Sequence, residues 1–148
     1  MNIEVDYCLT SERKHFFISV GLNEQEAISF DYTTKGHRVV KQVLVEQKSQ
    51  EEAVEQYGDV TAEWDTIVLK DGKFVQKYHT KWIDRGKLDT VNGETWETVW
   101  TKPISEEIAE KLLYYSRFVS DNYENLDKFF KEMKEFEEFL SKEIAKYR

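Results

Sequence analysis

Hydrophobic and polar residues alternate over most of the first hundred positions, and the spacing then changes to a helical beat. Ile3, Val5, Tyr7 and Leu9 alternate with Glu4, Asp6 and Cys8, the period-two pattern of a strand with one buried face. Phe16, Ile18 and Val20 repeat it, as do Ile28, Phe30 and Tyr32. Thr10-Ser11-Glu12 and Gly21-Leu22-Asn23 supply turn chemistry between these runs, with a short helix over residues 23–27 as an alternative. Residues 39–45 follow Gly36 and are β-branched enough for a strand. Their imperfect alternation implies a bulge or burial on both faces.

Ser49 and Glu52 have capping-box spacing, and Gly58 stands where a helix would stop. Ala53, Val54 and Tyr57 give this short helix one apolar face, and Glu51, Glu52 and Glu55 give it a solvated acidic one. Beyond it, Ala62, Trp64, Thr66 and Val68 alternate up to Asp71-Gly72, a dipeptide suited to a two-residue hairpin turn. Phe74, Gln76, Tyr78 and Trp82 run back, and Asp84-Arg85-Gly86 marks a further reversal. Val91-Asn92-Gly93-Glu94 marks another, leading into residues 95–100. Residues 64–100 therefore read as an antiparallel meander.

Pro103 is the only proline and separates the strands from the helical stretch. Ser105 is a good N-cap, with Glu106 and Glu107 in the first turn, where the helix dipole favours acids. Ile108, Leu112, Tyr115, Val119, Leu126, Phe129, Met133, Phe136, Leu140, Ile144 and Tyr147 then recur at spacings that build an apolar stripe. Asp121 with Glu124 offers a second cap, which predicts a helical hairpin over residues 105–119 and 122–147. The stripe crosses that break in register, so one long coiled-coil helix with Asn122 as a polar core residue is the alternative. Phe118, Phe130 and Phe139 lie off the stripe, and this apolar surplus predicts self-association. The expected oligomer interface is Leu112, Tyr115, Val119, Leu126, Phe129, Met133, Phe136 and Leu140.

The expected fold is α+β: an antiparallel β-meander sheet of about six to eight strands with a short inserted helix, followed by the C-terminal helical element. Residues 1–103 form a β-rich domain, and residues 104–148 a helical region that packs on the sheet, oligomerises, or does both. At 148 residues the chain fits one domain, and aromatics at 14% compensate for hydrophobic residues at only 40%. The charge of -8 argues against nonspecific nucleic-acid binding. No apolar run reaches membrane-spanning length, no signal-peptide pattern opens the chain, and the single Cys8 precludes an internal disulfide. A cytoplasmic protein is expected.

Catalytic chemistry has little footing. His15, His37 and His79 lack metal-ligand spacing, and Cys8 has no neighbour in sequence that would lower its pKa. Phosphate-cradling and nucleophile motifs are missing, and Glu94 and Glu97, flanking Trp96, fall on opposite faces of a strand. No cofactor or metal is expected. The meander is more suggestive, because Lys70, Lys73, Lys77, Lys81, Arg85 and Lys87 cluster among aromatic residues in an otherwise acidic chain. Flat rings can stack on a base while cationic heads meet phosphate, so Lys77, Lys81, Arg85, Tyr78, Trp82, Trp96 and Trp100 form a candidate site for an anionic ligand such as a nucleotide. Alternation puts Lys77 and Lys81 on one face and Tyr78 and Trp82 on the other, so convergence needs neighbouring strands or a second subunit. The plainer account has the rings filling the core while the lysines snorkel outward. The leading expectation is a non-catalytic binding or inhibitor protein acting as a homo-oligomer through its C-terminal helices, with a protein target or an anionic small molecule as partner. The rivals are a protein that sequesters an anionic small molecule and a small enzyme with an unfamiliar constellation.

Overall fold

Two four-stranded meanders close on each other into a barrel. A computed structural model describes residues 1–9, 14–33 and 36–148. The first meander is β1 (Asn2–Leu9), β2 (Lys14–Gly21), β3 (Glu26–Thr33) and β4 (Gly36–Gln47). Helix α1 (Gln50–Tyr57) leads to the second: β5 (Ala62–Lys70), β6 (Lys73–Arg85), β7 (Leu88–Val91) and β8 (Glu94–Pro103). β4 pairs with β8 and β1 with β5, all antiparallel, giving the closed order β1-β2-β3-β4-β8-β7-β6-β5. The expected open meander sheet is thus corrected to a closed barrel, which leaves no free sheet edge. The turn expected at Thr10-Ser11-Glu12 lies outside the described residues, as does the Cys8 side chain. Residues 22–25 form a bend and not a helix, with the Leu22 and Asn23 amides both donating to the Glu26 carbonyl.

Local chemistry explains the turns. Asp71 and Gly72 (φ 52° and 76°) and Asn92 and Gly93 (φ 48° and 89°) hold the paired left-handed conformations of a two-residue hairpin turn. Gly93 also packs against the Lys48 carbonyl, where a Cβ would collide with it. In α1 the Ser49 hydroxyl accepts from the Glu52 amide at 3.1 Å. Three register shifts make Val45, Val75 and Val99 the extra residues of bulges, and these three valines are about half exposed. Past each bulge, the alternation of faces restarts in the opposite phase.

The apolar face of the strands points out of the barrel. Ile3, Val5, Phe16, Ile18, Phe30, Val39, Ile67 and Leu69 share one face by register and are buried. Further along the same face Asp65 and His79 are more than half exposed (58% and 53%), and the helical run packs on its apolar part, which together identify it as the outer wall. What buries its apolar part is the C-terminal run, which shares one hydrophobic core with it. That core joins residues 1–103 and 104–148.

The expected hairpin of two separately capped helices, over residues 105–119 and 122–147, is also corrected. The chain continues as α2 (Glu106–Asn122), a 3₁₀ segment (Tyr123–Phe129) and α3 (Phe130–Ala145), a helical run of about 40 residues. The backbone leaves helical values at Asn122, Asn125 and Phe129, and the run turns back there without losing helical character, so that α3 lies alongside α2. Asn122 makes no capping bond, and its amide donates back to the Phe118 carbonyl at 2.8 Å. Asp121, the expected cap, faces Arg117 at 3.8 Å. Tyr115 stacks on Phe136 at 4.8 Å, and Phe118 meets Phe129 edge-on at 5.0 Å. Among the described residues no helix is long and apolar enough to cross a membrane.

Candidate functional site

With the apolar face turned outward, the polar positions of the strands line the lumen. Asp6 pairs across to Phe17, Phe17 to Asp31 and Asp31 to Arg38, so these four side chains share one lumenal row. Glu4, Ser19 and Ser29 form the next row, with the Ser29 hydroxyl 3.1 Å from that of Ser19. On the far wall Thr66 and Thr80 bridge hydroxyls at 2.6 Å. Tyr78 donates to Glu4 Oε1 at 3.0 Å across the intervening β5. Trp82 Nε1 donates to Asp89 Oδ1 at 3.1 Å, and Gln42 Nε2 to Asp89 Oδ2 at 3.5 Å from a strand that does not pair with β7.

Five carboxylates on this inner face sit above their ordinary pKa values, and burial is the largest cause for each. For Asp6, well above the usual range, the charges of Glu4 and Asp31 add to burial. For Glu4, burial outweighs the Tyr78 hydrogen bond, with Glu94 adding repulsion. Asp31 is raised by burial against the opposing pull of the Arg38 guanidinium and of His15. Asp89 is raised by burial although Trp82 donates to it, and Glu94 by burial although Gln47 does. Arg38 Nε reaches Asp31 Oδ2 at 3.1 Å. Asp6 is different. It is 4% exposed, and its Oδ1 is buried without a hydrogen-bond partner.

One end of the lumen opens into a cavity of about 390 Å³ lined by Glu4, Ser19, Ala27, Val68 and Trp96, with Asn2 and Lys70 at the rim. That volume falls within the range of roughly 300–1,000 Å³ common for small-molecule sites. A larger groove of about 610 Å³ lies outside the barrel, between the Asp71–Gly72 turn and the helical run, and includes Phe74, Tyr123, Leu126 and Phe130. It is mostly apolar with charges of both signs around it, whereas the buried titratable groups of the lumen are mostly carboxylates.

The sequence-derived ligand site divides across the barrel wall. Tyr78, Trp82 and Trp96 face the lumen by register, while Lys77, Lys81 and Arg85 lie on the outer face. Lys77 points to the Tyr123 hydroxyl at 3.3 Å, and Arg85 stacks on the Tyr57 ring at 3.5 Å. The bulge at Val99 turns Trp100 outward, against Tyr147. The seven residues therefore do not converge within one chain. The residues expected at an oligomer interface lie against this chain's own barrel and helices: Leu112, Val119, Phe136 and Leu140 are fully buried, Tyr115, Leu126 and Met133 nearly so, and Phe129 half-buried. The lumenal carboxylates escaped the sequence reading because an acid alternating with apolar residues looks like a solvent-facing position. Asp6, Asp31 and Asp89 gave no other signal. Comparison with known proteins finds no matching family model, no matching curated protein and no matching solved structure.

Proposed function

We propose that the barrel lumen is a small-molecule binding site and that the protein is a non-catalytic binding protein of the cytoplasm. The observation that carries this reading is Asp6, whose carboxylate oxygen is buried inside the barrel without a partner. Buried polar groups are nearly always hydrogen-bonded, because an orphan costs about 1–3 kcal/mol. A bound molecule that supplies the missing donor removes that cost. The neighbouring side chains are already fixed: Glu4 by Tyr78, Asp31 by Arg38, and Asp89 by Trp82 and Gln42. A rigid polar wall beside Trp96 suits selective capture, because little ordering remains to be done on binding. The cytoplasmic placement rests on the single Cys8.

The experiment is a screen of chemically diverse small molecules, including amines, nucleotides, sugars and fatty acids, read by tryptophan fluorescence and thermal unfolding. Trp82 and Trp96 face the lumen and report directly. A ligand at about 100 times its Kd raises stability by about 2.7 kcal/mol. Ligands recovered unchanged after long incubation fit capture, and a converted ligand would overturn the non-catalytic part. A panel that moves neither signal would sink the lumen as a binding site.

A further inference from the structure

The lumen is selective in charge. Glu4, Asp6, Asp31, Asp89 and Glu94 face it or stand in electrostatic reach of one another, whereas the positive side among the described residues is His15, an Arg38 whose side chain is more than half exposed, and Lys70 at the rim. A nucleotide or other polyanion entering here meets repulsion, and the lysines that would hold phosphate are on the other side of the wall. The acids are strung out, each coupled to the next in the series Glu94, Glu4, Asp6, Asp31, Asp89. Among the described residues no three His, Cys, Asp or Glu side chains gather closely enough to hold a metal ion. A spaced series of carboxylates matches a ligand whose positive charges are spaced along its length. The rings of Tyr78, Trp82 and Trp96 add apolar surface for methylenes, and their faces attract ammonium groups.

We infer that the lumen takes a linear aliphatic polyamine, with ammonium groups seated against Asp6, Glu4 and Asp31 and the connecting methylenes lying along Tyr78 and Trp96. This rests on the lumen being a binding site at all, as proposed above. An ammonium donates to the orphaned Asp6 oxygen and neutralises the repulsion that Glu4 and Asp31 exert on it. Its chain enters through the open end lined by Glu4 and Trp96. Burial favours the protonated form of Asp6 in the empty barrel and a seated ammonium favours the carboxylate, so binding shifts that proton toward the buffer while the amine stays protonated. Among the described residues the charged and titratable groups facing Asp6 are Glu4 on its own strand, His15, Asp31 and Arg38 on β2 to β4, and Tyr78 on β6.

The test is calorimetric titration of the whole chain with the triamine spermidine, in two buffers of different ionisation heat. Butylamine, magnesium chloride, ATP and a neutral diol serve as comparison probes. Spermidine is expected to bind at least about tenfold more tightly than butylamine, to release protons, and to weaken as salt is raised. Asp6→Asn is expected to fold, to lose at least about tenfold in spermidine affinity and to lose the proton release. Asp65→Asn, on the outer wall beside His79, is expected to bind like the wild type. Equal binding of spermidine and butylamine, unchanged binding by Asp6→Asn, or saturation by magnesium without response to spermidine would each overturn the polyamine. If ATP or the diol binds and spermidine does not, the polyamine falls while the lumenal site stands. If every probe, together with the wider panel above, stays silent, both fall.

Discussion

Replacing Asp6 by Asn tests the buried carboxylate through stability alone, with no ligand involved. The native state holds Asp6 above its ordinary pKa, first through burial and then through Glu4 and Asp31. Below the pKa that the side chain has in the unfolded chain, about 3.9, both states carry the proton and no penalty exists. As pH rises through the native pKa, the folded protein must bear a buried charge that the unfolded chain bears in water. The native state binds more protons in that window, so stability falls as pH rises. Asparagine keeps the shape, removes the charge and can donate to the Glu4 or Asp31 carboxylate. Removing an unsatisfied buried polar charge is worth about 1–3 kcal/mol, or roughly 2–12 °C in Tm for a chain of this size. The assay is urea and thermal unfolding of wild type and variant from pH 4 to pH 9. The variant is expected to match the wild type near pH 4 and to exceed it increasingly above neutrality. A variant less stable than the wild type at pH 8, or one with the same pH slope, would refute the burial of this carboxylate.

Other outcomes follow from the wall and its cover. Phe136 is fully buried and stacked on Tyr115, so Phe136→Ala is expected to lose about 3–5 kcal/mol in denaturant unfolding; a loss under 1 kcal/mol would mean that the helical run does not pack on the barrel as described. Gly93→Ala forces a Cβ into the Lys48 carbonyl at a φ of 89°, and a cost of at least about 1 kcal/mol is expected in the same assay. Unchanged stability would remove the close approach of β8 to the start of α1. With the helical stripe buried on the chain's own barrel, light scattering is expected to give a molar mass near 17.7 kDa. A stable dimer would mean that exposed Phe130 and Tyr114 form a contact of their own.

Much of the fold was legible because the chain's local signals are consistent. The Asp71-Gly72 and Asn92-Gly93 turns and the Ser49 and Ser105 caps all lie where residue chemistry alone puts them. Closure was not legible. It depends on β1 meeting β5 and β4 meeting β8, and nothing local to Ile3 or Val39 records a partner so far along the chain. Alternation also has no sign: it separates Glu4 and Asp6 from Ile3 and Val5 without saying which set faces the interior of a barrel. Here a 40-residue helical run covers the apolar set from outside, so the polar set is enclosed. The bulges hid the rest. Strict alternation would put Trp96 and Trp100 on one face, and the extra residue Val99 puts them on opposite sides of the wall. At the helical break, Asp121 and Glu124 had good capping spacing, but the helix runs through Asp121 and the side chain is used by Arg117.

The most direct measurement is the ionisation of Asp6 itself, followed by carbon-13 NMR of its carboxyl group as pH is raised. An enclosed acidic lumen predicts a midpoint well above the ordinary aspartate value of about 3.9, moving toward that value when Glu4 or Asp31 is replaced by its amide. A midpoint near 3.9 that ignores both replacements would place Asp6 in solvent and contradict the inward-facing wall.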